Sequence, residues 1–364
     1  MTIRVLVVDD SAVMRALLQR KLDSEPDIEV VAGAANANEA RQLMKELHPD
    51  VVTLDIEMPG MDGLSFLEKI MQLRPTPVII VSSATGPSGA ITAKAMRIGA
   101  INCYSKSALN GGLPDKHGGG LADMVREAAT AKLTARPSAG HAVSPSADPV
   151  QARSALGSSL PSKTVPSGIM KRPELIAIGS STGGVEALHS LLAGFPEDCP
   201  PTVIVQHINS CFAEVIAQSL DKVTKPRVLL AESDLVLKPG EIMLAPGDDK
   251  HLLVGSAGVG KWRAVMRPGE PISGHRPSVD GLFHSVAAQL GSKAVGVLLT
   301  GMGRDGAEGL KAMADAGAQT IAQDKSSCVV FGMPRAAIEL GAAKQVLALD
   351  KITGRLFPEA ELAA

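Results

Sequence analysis

The sequence predicts an α/β protein built as two successive domains, each around a mainly parallel, doubly wound sheet. Short aliphatic runs alternate with amphipathic stretches of helical spacing over most of the 364 residues, the pattern of βαβ units. With one Trp, one Tyr and six Phe, the cores must be filled by Val, Ile, Leu, Met and Ala, the usual packing of buried parallel strands. The alternation is interrupted once, by a Pro-, Ser- and Ala-rich stretch, in a chain whose length suits about two domains.

Ile3 to Val8 reads as a strand ending in Asp9-Asp10, and Met14, Leu17, Leu18 and Leu22 give the next helix its apolar stripe. Glu29 to Gly33 is a second strand and Ala37 to Leu47 a second helix. Asp50 to Leu54 ends at Asp55, Gly63 to Leu73 is helical, and Val78 to Val81 ends at Ser82. Ile91 to Ile98 is a further helix, and Ile101 to Tyr104 a weaker strand with Lys106 just beyond it. Six prolines then fall from Pro137 to Pro173, and no aromatic residue occurs between Tyr104 and Phe195. Such a stretch cannot bury enough apolar area to offset its ordering entropy, so residues 131–171 read as a flexible linker between domains 1–130 and 172–364. The Gly-rich run Gly111 to Gly120 reads as an extension of the first domain's edge.

In the second series, Leu175 to Ile178 is a strand leading into Gly179-Ser180-Ser181-Thr182-Gly183-Gly184 and a helix to about Leu192. Thr202 to Val205 ends at Gln206-His207, and Val295 to Leu299 leads into Thr300-Gly301-Met302-Gly303-Arg304-Asp305-Gly306. Glu241 to Ala245 and His251 to Val254 look like the two arms of a hairpin around Pro246 to Asp249.

Several function classes are excluded at this stage. A net charge of −2 leaves no basic footprint for nucleic acid or anionic lipid, and scarce aromatics argue against base-stacking platforms. No apolar run reaches the ~18 residues of a membrane span, and no signal-like segment opens the chain. The four cysteines are scattered without CxxC spacing, which suits a reducing compartment. A cytoplasmic protein without membrane insertion is expected.

Asp9, Asp10 and Asp55 stand at carboxyl ends of strands, which in an open parallel sheet line one crevice. A single strand-end Asp is commonly a helix cap. Three in one crevice repel each other, a state that a hard cation such as Mg²⁺ relieves. One carboxylate could then take a phosphoryl group, with Ser82 and Lys106 holding its oxygens. These residues, with VVDD at Val7 to Asp10, LDIEMPGMDG at Leu54 to Gly63 and VSS at Val81 to Ser83, resemble a response-regulator receiver domain. The resemblance implies a flavodoxin-like fold, phosphorylation of Asp55 by a histidine kinase, and Mg²⁺ held by Asp9, Asp10, Asp55 and the Glu57 carbonyl. Two positions depart from that family: Ser107 replaces the usual Pro after the lysine, and Cys103 replaces the switching aromatic.

Gly179 to Gly183 matches G-x-S-x-G between a strand and a helix, as a nucleophile elbow requires, with Ser181 central. On that motif alone a phosphate-cradling loop is as good a reading. Partners for a serine decide between them: His207 ends the neighbouring strand, and Asp305 lies in a glycine-rich turn after another. Among rivals, His189 is expected to face solvent, His251 opens a hairpin strand, His275 and His284 flank Arg276 to Phe283, and Asp280 is a second candidate orienter. The order Ser, His, Asp differs from that of ordinary α/β hydrolases.

AIGSSTGGVEAL from Ala177, VIVQHI from Val203, APGDDKHLLV from Ala245, RPSVDGLFHS from Arg276 and LLTGMGRDGAEGL from Leu298, behind a receiver, resemble the CheB family of chemotaxis protein-glutamate methylesterases. That resemblance implies Ser181 as nucleophile, His207 as general base and Asp305 as its orienter. It also implies Met302 N–H as an oxyanion donor, with Thr182 shaping the same site. Methyl-accepting chemoreceptors are the implied substrate, with glutamine deamidation as a second activity and no cofactor for the ester chemistry. A two-component adaptor with a non-catalytic binding domain is the alternative; a transcription regulator would need a basic helical module that is missing.

Overall fold

The aliphatic runs of the first domain become strands because β-branched side chains suit a pleated surface buried on both faces. In the computed structural model, which describes residues 2–58, 63–83, 87–109, 120–133 and 172–358, five such strands form one sheet. They are β1 (Ile3–Val8), β2 (Ile28–Ala34), β3 (Val51–Leu54), β4 (Val78–Ser82) and β5 (Asn102–Ser105). All pair in parallel, in the order β2-β1-β3-β4-β5, the flavodoxin-like order. The covering helices are α1 (Ala12–Asp23), α2 (Ala37–Leu47), α3 (Gly63–Leu73), α4 (Pro87–Ile98) and α5 (Leu121–Ala129). Ser11 and Asn36 cap α1 and α2, their side chains accepting the backbone N–H three residues on. The sequence reading placed the start of α4 four residues late, at Ile91 instead of Pro87.

The second domain holds β6 (Leu175–Ser180), α6 (Gly184–Leu192), β7 (Thr202–Gln206), α7 (Ser210–Asp221), β8 (Arg227–Leu230) and β9 (Glu241–Leu244). A hairpin of β10 (Lys250–Gly258) and β11 (Lys261–Pro268) follows, then α8 (Val279–Leu290), β12 (Ala294–Leu298), α9 (Ala307–Asp315) and β13 (Gln319–Gln323). The remaining elements are α10 (Met333–Glu339), β14 (Gln345–Leu347) and α11 (Leu349–Leu356). Seven strands pair in parallel in the order β14-β13-β12-β6-β7-β9-β8. The chain leaves β6 toward β7 on one side and returns to β12 on the other, so a topological switch point lies at the carboxyl end of β6.

The expected pairing of Glu241–Ala245 with His251–Val254 is incorrect. β9 is an inner strand between β7 and β8, and β10 turns back on β11. That hairpin carries Trp262, the only tryptophan, partly buried against the second domain's apolar core.

The two domains meet along α4, which packs on α6 and α7. One apolar cluster runs from Leu54, Leu67 and Met96 of the first domain into Val185, Leu188 and Ile216 of the second. A backbone bond from Lys132 N–H to the Val329 carbonyl (2.8 Å) adds a polar tie. His189, expected at the surface, is buried: its ring nitrogens bond the Val185 carbonyl (2.8 Å) and Ser219 Oγ on α7 (2.9 Å). Burial first, and the Arg97 charge, lower its pKa. Of the expected linker, residues 134–171 lie outside the described residues, as do 111–119 of the Gly-rich run.

Candidate active site and phosphoacceptor site

Three strand ends of the seven-stranded sheet bring Ser181, His207 and Asp305 to the switch point. Ser181 follows β6 directly, and its backbone N–H donates to the Thr300 carbonyl beyond β12 (3.0 Å). Its own carbonyl accepts from Gln206 Nε2 at the end of β7 (2.8 Å). His207 N–H donates to the Ser180 carbonyl (3.0 Å), so the ends of β6 and β7 are stitched at the site itself. The turn is tight enough to need glycine at two places. Gly183 takes φ +75°, and a Cβ on Gly301 would lie 2.7 Å from Ser181 Cβ and 2.3 Å from Met333 Sδ.

His207 Nε2 bonds Asp305 Oδ2 at 2.8 Å. With that N–H given to the carboxylate, the lone pair is on Nδ1, which is buried without a hydrogen-bond partner. Nδ1 is therefore the nitrogen able to accept a proton.

Asp305 is 1% exposed and is held by four donors. Besides His207 these are Ser278 Oγ (2.8 Å), Val279 N–H (2.8 Å) and Asp280 N–H (2.9 Å), the last two at the N-terminus of α8. Burial pushes its carboxyl pKa up. The bond to His207, the imidazole charge and the helix-end N–H groups outweigh that and bring it down to about 2. Asp280, the rival acid, instead points its carboxylate at Ser273 Oγ and Gly309 N–H.

Sequence reasoning missed His275. Its ring stacks on His207 with centroids 3.9 Å apart and planes 9° from parallel. Burial, helped by the neighbouring His207, drives its pKa down to about 4, so it stays neutral at pH 7. The other expected members are close by. Thr182 is buried; its carbonyl accepts from Thr300 Oγ1 (3.0 Å), while its hydroxyl donates to Glu127 Oε2 of α5 (2.6 Å). Met302 lies in the loop after β12, at the rim, and among the described residues its N–H donates to no acceptor.

In the first domain, Asp9, Asp10 and Asp55 offer oxygens that all lie within 4.8 Å of one another. Asp9 and Asp55 are buried and Asp10 is exposed. Lys106 Nζ sits 2.5 Å from Asp55 Oδ2 and 3.1 Å from Asp9 Oδ2, the latter without hydrogen-bond geometry. Burial raises the Asp9 pKa, and Asp55 adds to this; the Ser11 N–H and Lys106 oppose it. Glu57 N–H donates to Asp55 Oδ1 (3.0 Å), and the buried Ser82 hydroxyl accepts from Thr92 Oγ1 (3.1 Å).

Known proteins share the order of the two domains. Residues 176–356 match the CheB methylesterase family model and residues 5–115 the response regulator receiver domain model. The chain is 49% identical over 352 residues to a Caulobacter vibrioides protein named protein-glutamate methylesterase/protein-glutamine glutaminase 1, covering 96% of both chains. A protein-glutamate methylesterase/protein-glutamine glutaminase of Agrobacterium fabrum is 48% identical, with 96% of this chain and 94% of that one aligned. The solved catalytic domain of Thermotoga maritima CheB methylesterase is 38% identical, covers 50% of this chain and 97% of that domain, and superposes with a TM-score of 0.49. With both domain models matched in order and relatives nearly half identical end to end, the chain belongs to the CheB methylesterase family.

Proposed function

We propose that the chain removes methyl groups from glutamate methyl esters of methyl-accepting chemoreceptors, deamidates glutamines at such positions, and does so under control of phosphorylation at Asp55. The observation that carries this is the His207–Asp305 pair, with the accepting nitrogen unpaired, beside Ser181 at the switch point.

In this reading His207 Nδ1 takes the Ser181 proton as Oγ attacks the γ-carbonyl carbon. Asp305 fixes the ring and stabilises the imidazolium, and Met302 N–H faces the developing oxyanion. The imidazolium returns its proton to the departing methoxide, giving methanol. Water, deprotonated by His207, then opens the acyl-enzyme and leaves a glutamate side chain. Ammonia leaves from a glutamine by the same route. His275, neutral and stacked, excludes water from one face of the base without adding a competing charge.

At the other sheet, the donor set fits a hard divalent cation: three carboxylates converge, and the buried Asp9 Oδ2 makes no hydrogen bond. Mg²⁺ bound by Asp9, Asp10, Asp55 and the Glu57 carbonyl would neutralise charge between the carboxylate and an incoming phosphoryl group. Lys106 and Ser82 would hold the phosphoryl oxygens on Asp55. A chemotaxis histidine kinase is the physiological phosphodonor in this reading, and acetyl phosphate a small-molecule substitute for it.

Domain limits of 1–130 and 172–364 with a connecting segment 131–171 accord with α5 ending at Ala129 and β6 starting at Leu175. In this reading the receiver, docked through α5, covers the ester site. Ser181 is 8% exposed and the His207 side chain 6%, and Thr182 is engaged by α5. Phosphorylation would shift the population toward an open arrangement. Among the described residues no helix is long and apolar enough to cross a membrane. The four cysteines are free, as suits the reducing cytoplasm in which this reading places the reaction.

Methanol release from methylated chemoreceptors, with and without acetyl phosphate and Mg²⁺, tests the proposal. Release that rises with phosphodonor and vanishes in Ser181→Ala is expected. Release that survives Ser181→Ala would assign the nucleophile elsewhere, and none from any methylated receptor would favour the adaptor reading.

A further inference from the structure

A glutamate from the receiver reaches into the esterase centre. Glu127 lies near the end of α5 and is half-buried against the second domain. Its Oε2 accepts the 2.6 Å hydrogen bond from Thr182, the residue next to Ser181. Among the described residues its carboxylate has no other hydrogen-bond partner and no ion-pair partner.

A carboxylate sunk into a domain interface without a cation is costly, and an ordinary interface would place an apolar or oppositely charged group there. Burial raises the pKa of Glu127, with Asp123 adding to the rise, while the Thr182 bond and the nearby His207 lower it. The groups that recognise it thus belong to the proposed reaction centre. The occupant also has the right chemistry, because a glutamate γ-carboxylate is what that reaction leaves behind.

We propose that Thr182 Oγ1 is the donor that holds the γ-carbonyl oxygen of the substrate side chain, and that Glu127 fills this subsite in the docked receiver as a tethered product analogue. The proposal rests on the esterase reading of Ser181 and extends it to substrate recognition. It also gives inhibition a chemical form, since receptor and α5 compete for one hydroxyl.

The full-length Glu127→Gln variant tests it, because a glutamine placed in a product subsite becomes a substrate. Ser181 Oγ bonds to the amide carbon as His207 takes its proton, and the C–N bond breaks with that proton going to nitrogen. Ammonia leaves, and water hydrolyses the acyl-enzyme to regenerate Ser181 and a glutamate at 127. Peptide mass analysis of the unphosphorylated variant over time is expected to show residue 127 converting from amide to acid. Conversion should cease in Ser181→Ala/Glu127→Gln and slow with acetyl phosphate and Mg²⁺.

Glu127→Asp keeps the charge but is one methylene short of Thr182, so its methanol release without phosphodonor should exceed wild type by several-fold. An amide at 127 that persists while Ser181 is intact, or that is lost equally without Ser181, overturns the proposal, as does a Glu127→Asp variant with wild-type basal rate. Wild-type methanol release with phosphodonor, run alongside, separates the two levels. If it is present, such a result sinks only the subsite; if it is absent, the esterase reading itself fails.

Discussion

Asp305 shows how much one buried carboxylate can be asked to do. Its donors are all N–H or O–H groups, so an amide in its place turns an NH₂ toward at least one of them. Asp305→Asn should leave the fold intact and lower kcat by roughly 10⁴-fold through the wrong tautomer of His207, measurable as methanol release. Its pKa is depressed, so its stabilising contribution is complete above the unfolded value of 3.8 and disappears as pH falls through about 2. Urea midpoints measured from about pH 4 to about pH 2 should therefore fall more steeply for wild type than for Asp305→Asn. His275→Arg sets a permanent charge beside His207 and disfavours the imidazolium. The acid limb of the kcat/KM profile should move to lower pH by on the order of one unit, with kcat reduced. Ser181, His207 and Asp305 were legible in the sequence because each directly follows or lies just beyond an aliphatic strand, and parallel topology gathers strand ends. His275 and Ser278 were not, since they lie in an irregular segment before α8 whose position no local periodicity records.

The loops after β6 and β12 interlock at the element scale, with Gly301 packed against both Ser181 and Met333. Gly301→Ala should destabilise the protein by about 1–3 kcal/mol, read from thermal unfolding, and lose activity as Ser181 is displaced. The α4–α7 contact offers a different handle. Ala93 is 3% exposed where α4 faces Val215, Gln218 and Ser219 of α7. Lys94, Arg97 and Lys222 line the same spot, so a further cation there opposes docking, and Ala93→Lys should raise methanol release without phosphodonor by about tenfold or more. Strand and helix types were mostly readable from sequence, whereas strand order was not. β9 and β10 look like hairpin arms because alternation does not say which neighbour a strand pairs with. His189 was misplaced for a related reason: α6 is covered by α7 and by α4 of the other domain, a contact invisible within either half.

Considered whole, the molecule joins two parallel sheets through a face of one to the active edge of the other. Fragment 172–364 should release methanol faster than the unphosphorylated full chain and ignore acetyl phosphate; a rate no higher would disprove coverage by the receiver. The shared apolar cluster has a further consequence for how the protein melts. Docked, the halves should unfold in one calorimetric transition, because separating them exposes core side chains of both. Phosphorylated and released, they should give two. The single indole, Trp262, lies on the hairpin of the catalytic half, so its emission follows only that half. A fluorescence trace that departs from the heat-capacity trace only in the presence of phosphodonor is then the optical signature of release, readable in the native chain without any attached label.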